Sequence, residues 1–259
     1  MGKEIERLTD IVARLRAPDG CPWDREQTHR SILTCLLDEA YEFFEAVDEN
    51  DSGKMREELG DLLLQIILHA QIAREAGTFD IESVAKDISD KLIRRHPHVF
   101  GSEKILSPEE TIQRWEQIKK SEYANDNRRK YMVDDIPDAL PALFRAEKMQ
   151  RRVAQVGFDW NNAEPALDKV EEEFQEFREA ATSGNAAHAE EELGDILFAL
   201  VNVARHYKIS AENALRAATY KFAKRFRYVE DRFREIGKDM REAELEEMDV
   251  YWEESKKKL

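Results

Sequence analysis

Two segments of this chain repeat one unusual arrangement, and any fold must accommodate both. Residues 56–68 read REELGDLLLQIIL and residues 190–202 read EEELGDILFALVN. In each, an acidic pair three residues apart, Glu58 with Asp61 and Glu192 with Asp195, enters a run otherwise rich in apolar side chains. Residues at that spacing share one face of a helix, so each pair puts a carboxylate patch on a surface built for burial. Upstream, Glu39 with Glu42 and Glu173 with Glu176 keep the same spacing. The first set recurs as the second with every member displaced by 134 positions, Glu39 to Glu173 and Asp61 to Asp195 at its ends. Four matches at one offset, inside similar apolar frames, mark an internal duplication.

Composition decides what kind of unit was duplicated. Apolar residues make up 42% and charged residues 37%, with 10 Gly and 7 Pro, a balance suited to long amphipathic helices rather than strands and turns. The chain is therefore expected to be all-α. Periodicity places helices over about 3–16, from the end of APDGCPWD to DENDSGK, on to Gly77, and over 81–95; Ser107 and Glu110 then open a capping box. The polar stretch 124–137 lacks amphipathic order and reads as a linker, separating an N-terminal unit (1–123) from a C-terminal one (138–259). After it the layout recurs: a helix near 138–155, the loop VGFDWNNAEP, two long helices parted by TSGN, the SAENAL helix, and a last helix over 241–257.

If the two acidic helices of each unit form an antiparallel hairpin, the carboxylates converge. The pairs at 39/42 and 58/61 are centred on residue 50, and those at 173/176 and 192/195 on residue 184, both at turn-forming sequence. Each pair then stands roughly 14 Å from its turn, at about 1.5 Å per residue. Four carboxylates at one height repel one another and take up protons unless a counter-charge joins them. Oxygen-only donors without His or Cys favour a hard divalent ion, Mg²⁺ or Mn²⁺. A di-iron carboxylate bundle ranks lower, because its Glu-x-x-His template would need His where Asp61 and Asp195 stand. A plain solvated face explains an isolated acidic pair better than two pairs placed symmetrically about a turn and then duplicated.

These motifs resemble a known family. DEAYE and EEFQE, each followed by EELGD, are similar to the EExxE and ExxD motifs of MazG nucleoside triphosphate pyrophosphohydrolases. GCPWDREQTHRS, RRHPHVFG, DDIPDALPAL and VGFDW extend the resemblance over essentially the whole chain, as in tandem-domain members. The resemblance implies Mg²⁺-dependent hydrolysis of a nucleoside triphosphate to the monophosphate and pyrophosphate, in a helical homodimer whose acidic hairpins pack into four-helix-bundle-like cores. Carried onto this sequence, Glu173, Glu176, Glu192 and Asp195 become metal ligands, with Glu39, Glu42, Glu58 and Asp61 as N-terminal equivalents. Lys221, Lys224 and Arg225 in YKFAKRF become phosphate contacts, and Trp252 and Lys256 lie near the nucleotide. Glu173 is the candidate to orient or deprotonate the attacking water, with Lys221 and Arg225 beside the reacting phosphates. There is no GxxxxGK[ST] loop, so metal must do what a P-loop would do.

The two copies differ in ways that favour the second as catalytic. Two turns beyond Asp195 stands Asn202, a candidate substrate contact, where the first copy has Leu68; the first copy also has Asp38 in place of the motif's leading Glu. The N-terminal copy is expected to be structural, regulatory or weakly active, although Lys91 and Arg95 preserve a basic helix. Trp23 and Trp160 precede the first acidic helix of their copies, as nucleotide covers or core fillers. His96 and His98 read as capping or loop packing. With 55 acidic against 40 basic residues, a nucleic-acid polymer is not an expected partner. Two cysteines without CxxC spacing, no apolar run of roughly 20 residues and no leader-like segment suggest a cytoplasmic protein without a membrane span. A nucleotide-sensing or partner-binding helical module without turnover is the competing class, and the identity of any regulatory protein partner is not written in the residues.

Overall fold

The computed structural model describes residues 2–102, 107, 110, 111, 114, 115, 118 and 131–258. Contacts divide the chain into two units, Met1–Asn125 and Asp126–Leu259. Among the described residues the regular structure is helical throughout, as the composition predicts. None of the described helices is long and apolar enough to cross a membrane.

In the first unit α1 (Gly2–Leu15) leads through a turn to a short α2 (Pro22–Glu26), then to α3 (Leu33–Asp48), α4 (Ser52–Glu75), α5 (Ile81–Arg95) and the single turn α6 (Pro97–Phe100). The sequence reading leaves residues 17–24 in a loop and starts the long helix directly after it; instead Pro22 starts a short helical turn, because a residue whose φ is already helical and whose N–H is absent loses nothing at that position, and the long helix begins only at Leu33. The α3–α4 hairpin is the centre of the unit. Asn50 closes it in the left-handed region at φ 54°, and Asp51 caps α4 by accepting from the backbone N–H groups of Gly53 (2.8 Å) and Lys54 (3.1 Å). Val12, Ile32, Ile67 and Leu68 form its buried core, with Leu8, Leu63, Leu64, Ile72 and Ile81 packed around them. Ser107 accepts from the N–H of Glu110 at 3.1 Å, the first half of the expected capping box; most of the helix expected after it lies outside the described residues.

The second unit runs α7 (Ala142–Ala154), α8 (Glu164–Ser183), α9 (Ala186–His206), α10 (Ala211–Glu235), a 3₁₀ turn (Met240–Glu242) and α11 (Leu245–Lys258). Gly184, at φ 73°, closes the α8–α9 hairpin, and Asn185 caps α9. The left-handed residues of the two hairpins therefore fall at 50 and 184, the centres set by the acidic pairs. Residues 124–130 of the expected linker lie outside the described residues. Those from 131 on pack into the second unit: Ile136 is buried, and Arg152 of α7 binds Asp135 at 2.7 Å and the Met132 carbonyl at 3.2 Å.

Phe233 of α10 is fully buried and meets Tyr251 of α11 edge to face, with 5.3 Å between ring centroids. Truncating it leaves a cavity that the paired helices close only in part. Phe233→Ala should lower the stability of the second unit by about 3–5 kcal/mol, and Val250→Ala, at an exposed position, by no more than about 0.5 kcal/mol, both read by chemical denaturation.

Candidate metal centre

Each hairpin brings carboxylates from both of its helices together. In the second unit Glu173, Glu176 and Glu192 offer oxygens that all lie within 4.8 Å of one another, and in the first unit Glu39, Glu58 and Asp61 do the same. Each cluster thus holds three of the four acids that the spacing selects, and the two clusters omit different members. Glu42 stands outside the first, although it is near enough to disturb Glu39 and Glu58. Asp195 stands outside the second, exposed, one helical turn beyond Glu192.

The second cluster is set deep in the hairpin: Glu173 and Glu192 are only 7% and 8% exposed, while Glu176 at its edge is open to solvent. Burial at positions 173 and 192 follows from the apolar frame, since neighbours such as Ala180, Ile196 and Ala199 occupy the same packed faces. Glu176 shares a hydrogen bond with Glu173, and this bond, with partial desolvation and the charges of Glu173 and Glu192, pushes its carboxyl above the ordinary range. In the first cluster burial comes first and the neighbouring acids second in pushing up Glu39, and the same causes push up Glu58. Crowded oxygens that hold protons above their usual range are a site short of positive charge. Three hard oxygen donors from two helices fit a divalent cation.

The second cluster carries two basic neighbours that spacing alone could have revealed. Lys169 lies one turn before Glu173 and contacts its Oε1 at 2.8 Å and Glu172 Oε1 at 2.7 Å; both bonds favour the protonated ammonium. His188 lies one turn before Glu192, with Nδ1 3.4 Å from its Oε1. Both are i,i+4 spacings, which put the two side chains on one helix face.

The remaining predicted residues fall in two groups. Lys221, Lys224 and Arg225 lie together on α10, and Trp252 of α11 packs on Phe222 of that helix at 5.1 Å, which brings the tail helix to the basic segment. Arg225 has its Nε buried without a partner. Lys256 is exposed and pairs with Glu253. No hydrogen bond or ion pair joins Lys221, Lys224 or Arg225 to the acidic cluster among the described residues. Asn202 belongs to a different network: its Oδ1 accepts from Arg205 Nε at 3.0 Å, and Arg205 Nη1 reaches Asp159 Oδ2 at 2.8 Å. That arginine holds Asp159 well below the usual carboxylate range and pins the loop carrying Phe158 and Trp160. Arg16 plays the corresponding part in the first unit, binding Glu75 at 2.7 Å and the Asp24 and Gln27 carbonyls around Trp23. The tryptophan-bearing segments are thus held by partly buried arginines, with Trp23 60% exposed rather than filling core. His96 Nδ1 donates to the Leu92 carbonyl oxygen at 2.7 Å, and the ring packs beside His98 and Trp115, in keeping with a loop-packing role.

Comparison with known proteins follows the same duplication. The family model described as the MazG nucleotide pyrophosphohydrolase domain matches the chain twice, over residues 27–100 and 162–229, spans that contain both acidic hairpins. The chain is 44% identical over 252 residues to a Thermotoga maritima protein named nucleoside triphosphate pyrophosphohydrolase/pyrophosphatase MazG, covering 97% of this chain and 95% of that one. It is 46% identical over 257 residues to the Escherichia coli K12 nucleoside triphosphate pyrophosphohydrolase, covering 98% and 97%. A crystal structure of a MazG-related protein from Thermotoga maritima is similar at 36% identity over 44% of this chain and 98% of that one, with a TM-score of 0.40. Two matched domains, each built on a carboxylate hairpin, and relatives aligned almost from end to end show that this chain belongs to the MazG nucleotide pyrophosphohydrolase family.

Proposed function

We propose that this protein is a divalent-metal-dependent nucleoside triphosphate pyrophosphohydrolase that cleaves the bond between the α- and β-phosphates, releasing the monophosphate and pyrophosphate. The observation that carries the reading is the convergence of Glu173, Glu176 and Glu192 from two helices within 4.8 Å. Its relatives' names point to the same chemistry. The C-terminal unit is the catalytic one in this proposal, and the N-terminal unit is structural, regulatory or weakly active.

Glu173, Glu176, Glu192 and Asp195 would hold Mg²⁺, with Mn²⁺ an alternative occupant. The bound ion supplies charge neutralisation for the polyphosphate and acidifies a water. Asp195 completes the set by a side-chain rotation, since it already stands on the same helix one turn from Glu192. Glu173, the most deeply placed of the group with Glu192, orients the attacking water or takes its proton. Lys221 and Arg225, one turn apart on α10, form a clamp for phosphate oxygens, with Lys224 and Lys256 adding positive charge nearby. The buried, unpartnered Arg225 Nε is a donor available for such an oxygen. Trp252 offers a stacking face to the base; phosphate clamps and stacking do not discriminate bases, so broad base acceptance is part of the proposal. Asn202, committed to Arg205, acts through the loop at Asp159 rather than by touching substrate.

A second copy of the chain is the proposed partner. Tyr41, Phe44 and Ile66 on the first hairpin and Phe174, Leu197 and Phe198 on the second are all more than 40% exposed, apolar faces that pairing of hairpins would cover.

Replacing Glu173 by Gln should reduce pyrophosphate release by about 10²-fold or more, whereas Glu39→Gln should change it by no more than about twofold. The reverse pattern would move catalysis to the first unit, and nucleotide binding without product in the unaltered chain would favour a sensing module. The carboxyl shifts give a second test. Glu39, Glu58 and Glu176 have folded values above their unfolded ones, so the folded chain binds more protons than the unfolded chain, and stability falls as pH rises out of the ordinary carboxylate range. Mg²⁺ should therefore raise the melting temperature of chelator-treated protein near pH 7, and by less near about pH 4.5, where protons already occupy the oxygens. Glu58→Gln should raise the metal-free melting temperature and shrink the Mg²⁺ increment in the same scan.

A further inference from the structure

The two acidic clusters are related by the 134-residue offset, yet their surroundings differ in charge. Position 169 carries Lys and its counterpart, position 35, carries Cys; Glu172 corresponds to Asp38, and His188 to Lys54. In the first unit Lys54 turns to Glu49 at 2.6 Å, away from the cluster, so the charges that act on Glu39 and Glu58 are all acidic. In the second unit an ammonium sits directly on a cluster oxygen, Lys169 Nζ to Glu173 Oε1 at 2.8 Å.

We infer that Lys169 is an internal cation that holds Glu173 when no divalent ion is present and moves onto Glu172 when one enters, so that it weakens cation binding in the C-terminal unit. The inference rests on the metal-site reading above. Three features carry it. An ammonium and a divalent ion cannot share one carboxylate oxygen at contact distance without strong repulsion, so the lysine must withdraw for Glu173 Oε1 to become a ligand. A place to withdraw to is already built: Glu172 Oε1 is 2.7 Å from the same nitrogen, lies outside the cluster and faces solvent. The lysine side chain is itself 36% exposed on a flexible four-carbon stem, so the shift needs no repacking of the hairpin. Glu173, by contrast, is fixed by burial, so the cation moves and the carboxylate stays.

The consequence is a difference in exchange between the two sites. A hydrolase that releases pyrophosphate with its cation benefits from a site that does not hold the ion too tightly, and a tethered ammonium provides competition at constant effective concentration. The first unit has no such competitor at the equivalent position. Lys169 is a positioning residue in this account; it acts through Glu173.

The test uses Mn²⁺ alone, without nucleotide, titrated into the full chain bearing Glu39→Gln, Glu58→Gln and Asp61→Asn so that the C-terminal site reports, with free Mn²⁺ followed by electron paramagnetic resonance. Lys169→Met should bind Mn²⁺ about three- to tenfold more tightly than this parent, and Lys169→Arg should stay within about twofold of it. Glu172→Gln should weaken binding when Lys169 is present and do little in the Lys169→Met background, a coupling that a merely structural lysine would not show. Lys169→Gln takes the place of the methionine variant if that one fails to fold. Equal or weaker Mn²⁺ binding on removing the lysine would overturn the inference and leave the metal site intact. A parent chain that binds no Mn²⁺ would instead remove the metal-site reading, and this inference with it.

Discussion

Carboxylates placed at one height in an apolar helical hairpin repel one another, and most of what is distinctive in this chain follows from that repulsion. Glu173 and Glu192 are among the most buried charged side chains of the second unit, on helix faces that also carry buried Ala180, Ile196 and Ala199. An uncompensated charge in such a place is costly, so the group either takes a proton or acquires a cation. Burial and neighbouring acids push the carboxyls of Glu39 and Glu58 above their ordinary range, the hydrogen bond shared with Glu173 does the same for Glu176, and Lys169 supplies a local cation to Glu173. A divalent ion is the response that would satisfy all of the oxygens at once.

The hairpin geometry that enforces this crowding is set by very few residues. A left-handed residue at 50 or 184 turns the chain, and Asp51 or Asn185 immediately caps the returning helix. Gly carries the left-handed conformation without penalty at 184; Asn tolerates it at 50. With the turn fixed, the register of the helices fixes which acids meet. Two partly buried arginines, Arg16 and Arg205, then hold the tryptophan-bearing segment that precedes each hairpin, using different elements to the same end.

The pattern of acids was legible because helical spacing and a symmetric turn determine which face and which height a residue occupies. The all-α architecture followed from composition, the duplication from the repeated acids and most helix boundaries, within a few residues, from periodicity, but the helix expected from about residue 25 begins only at Leu33. What spacing could not supply was side-chain direction. It places Glu42 and Asp195 on the acidic faces, but their side chains are exposed and stand outside the two clusters. It marks Asn202 as polar on the right face but does not show that Arg205 claims its oxygen, because the partner, Asp159, is distant in sequence. Lys169 was legible in principle, one turn from Glu173, and is easily passed over as one more surface charge in a chain that has many.

The central claim is that these oxygens are gathered to hold a divalent ion. Anomalous diffraction from crystals soaked in Mn²⁺ tests it most directly. A peak bounded by Glu173, Glu176 and Glu192, with Asp195 rotated inward, is the result this account predicts. A peak elsewhere on the chain, or none at a concentration that supports turnover, would contradict it.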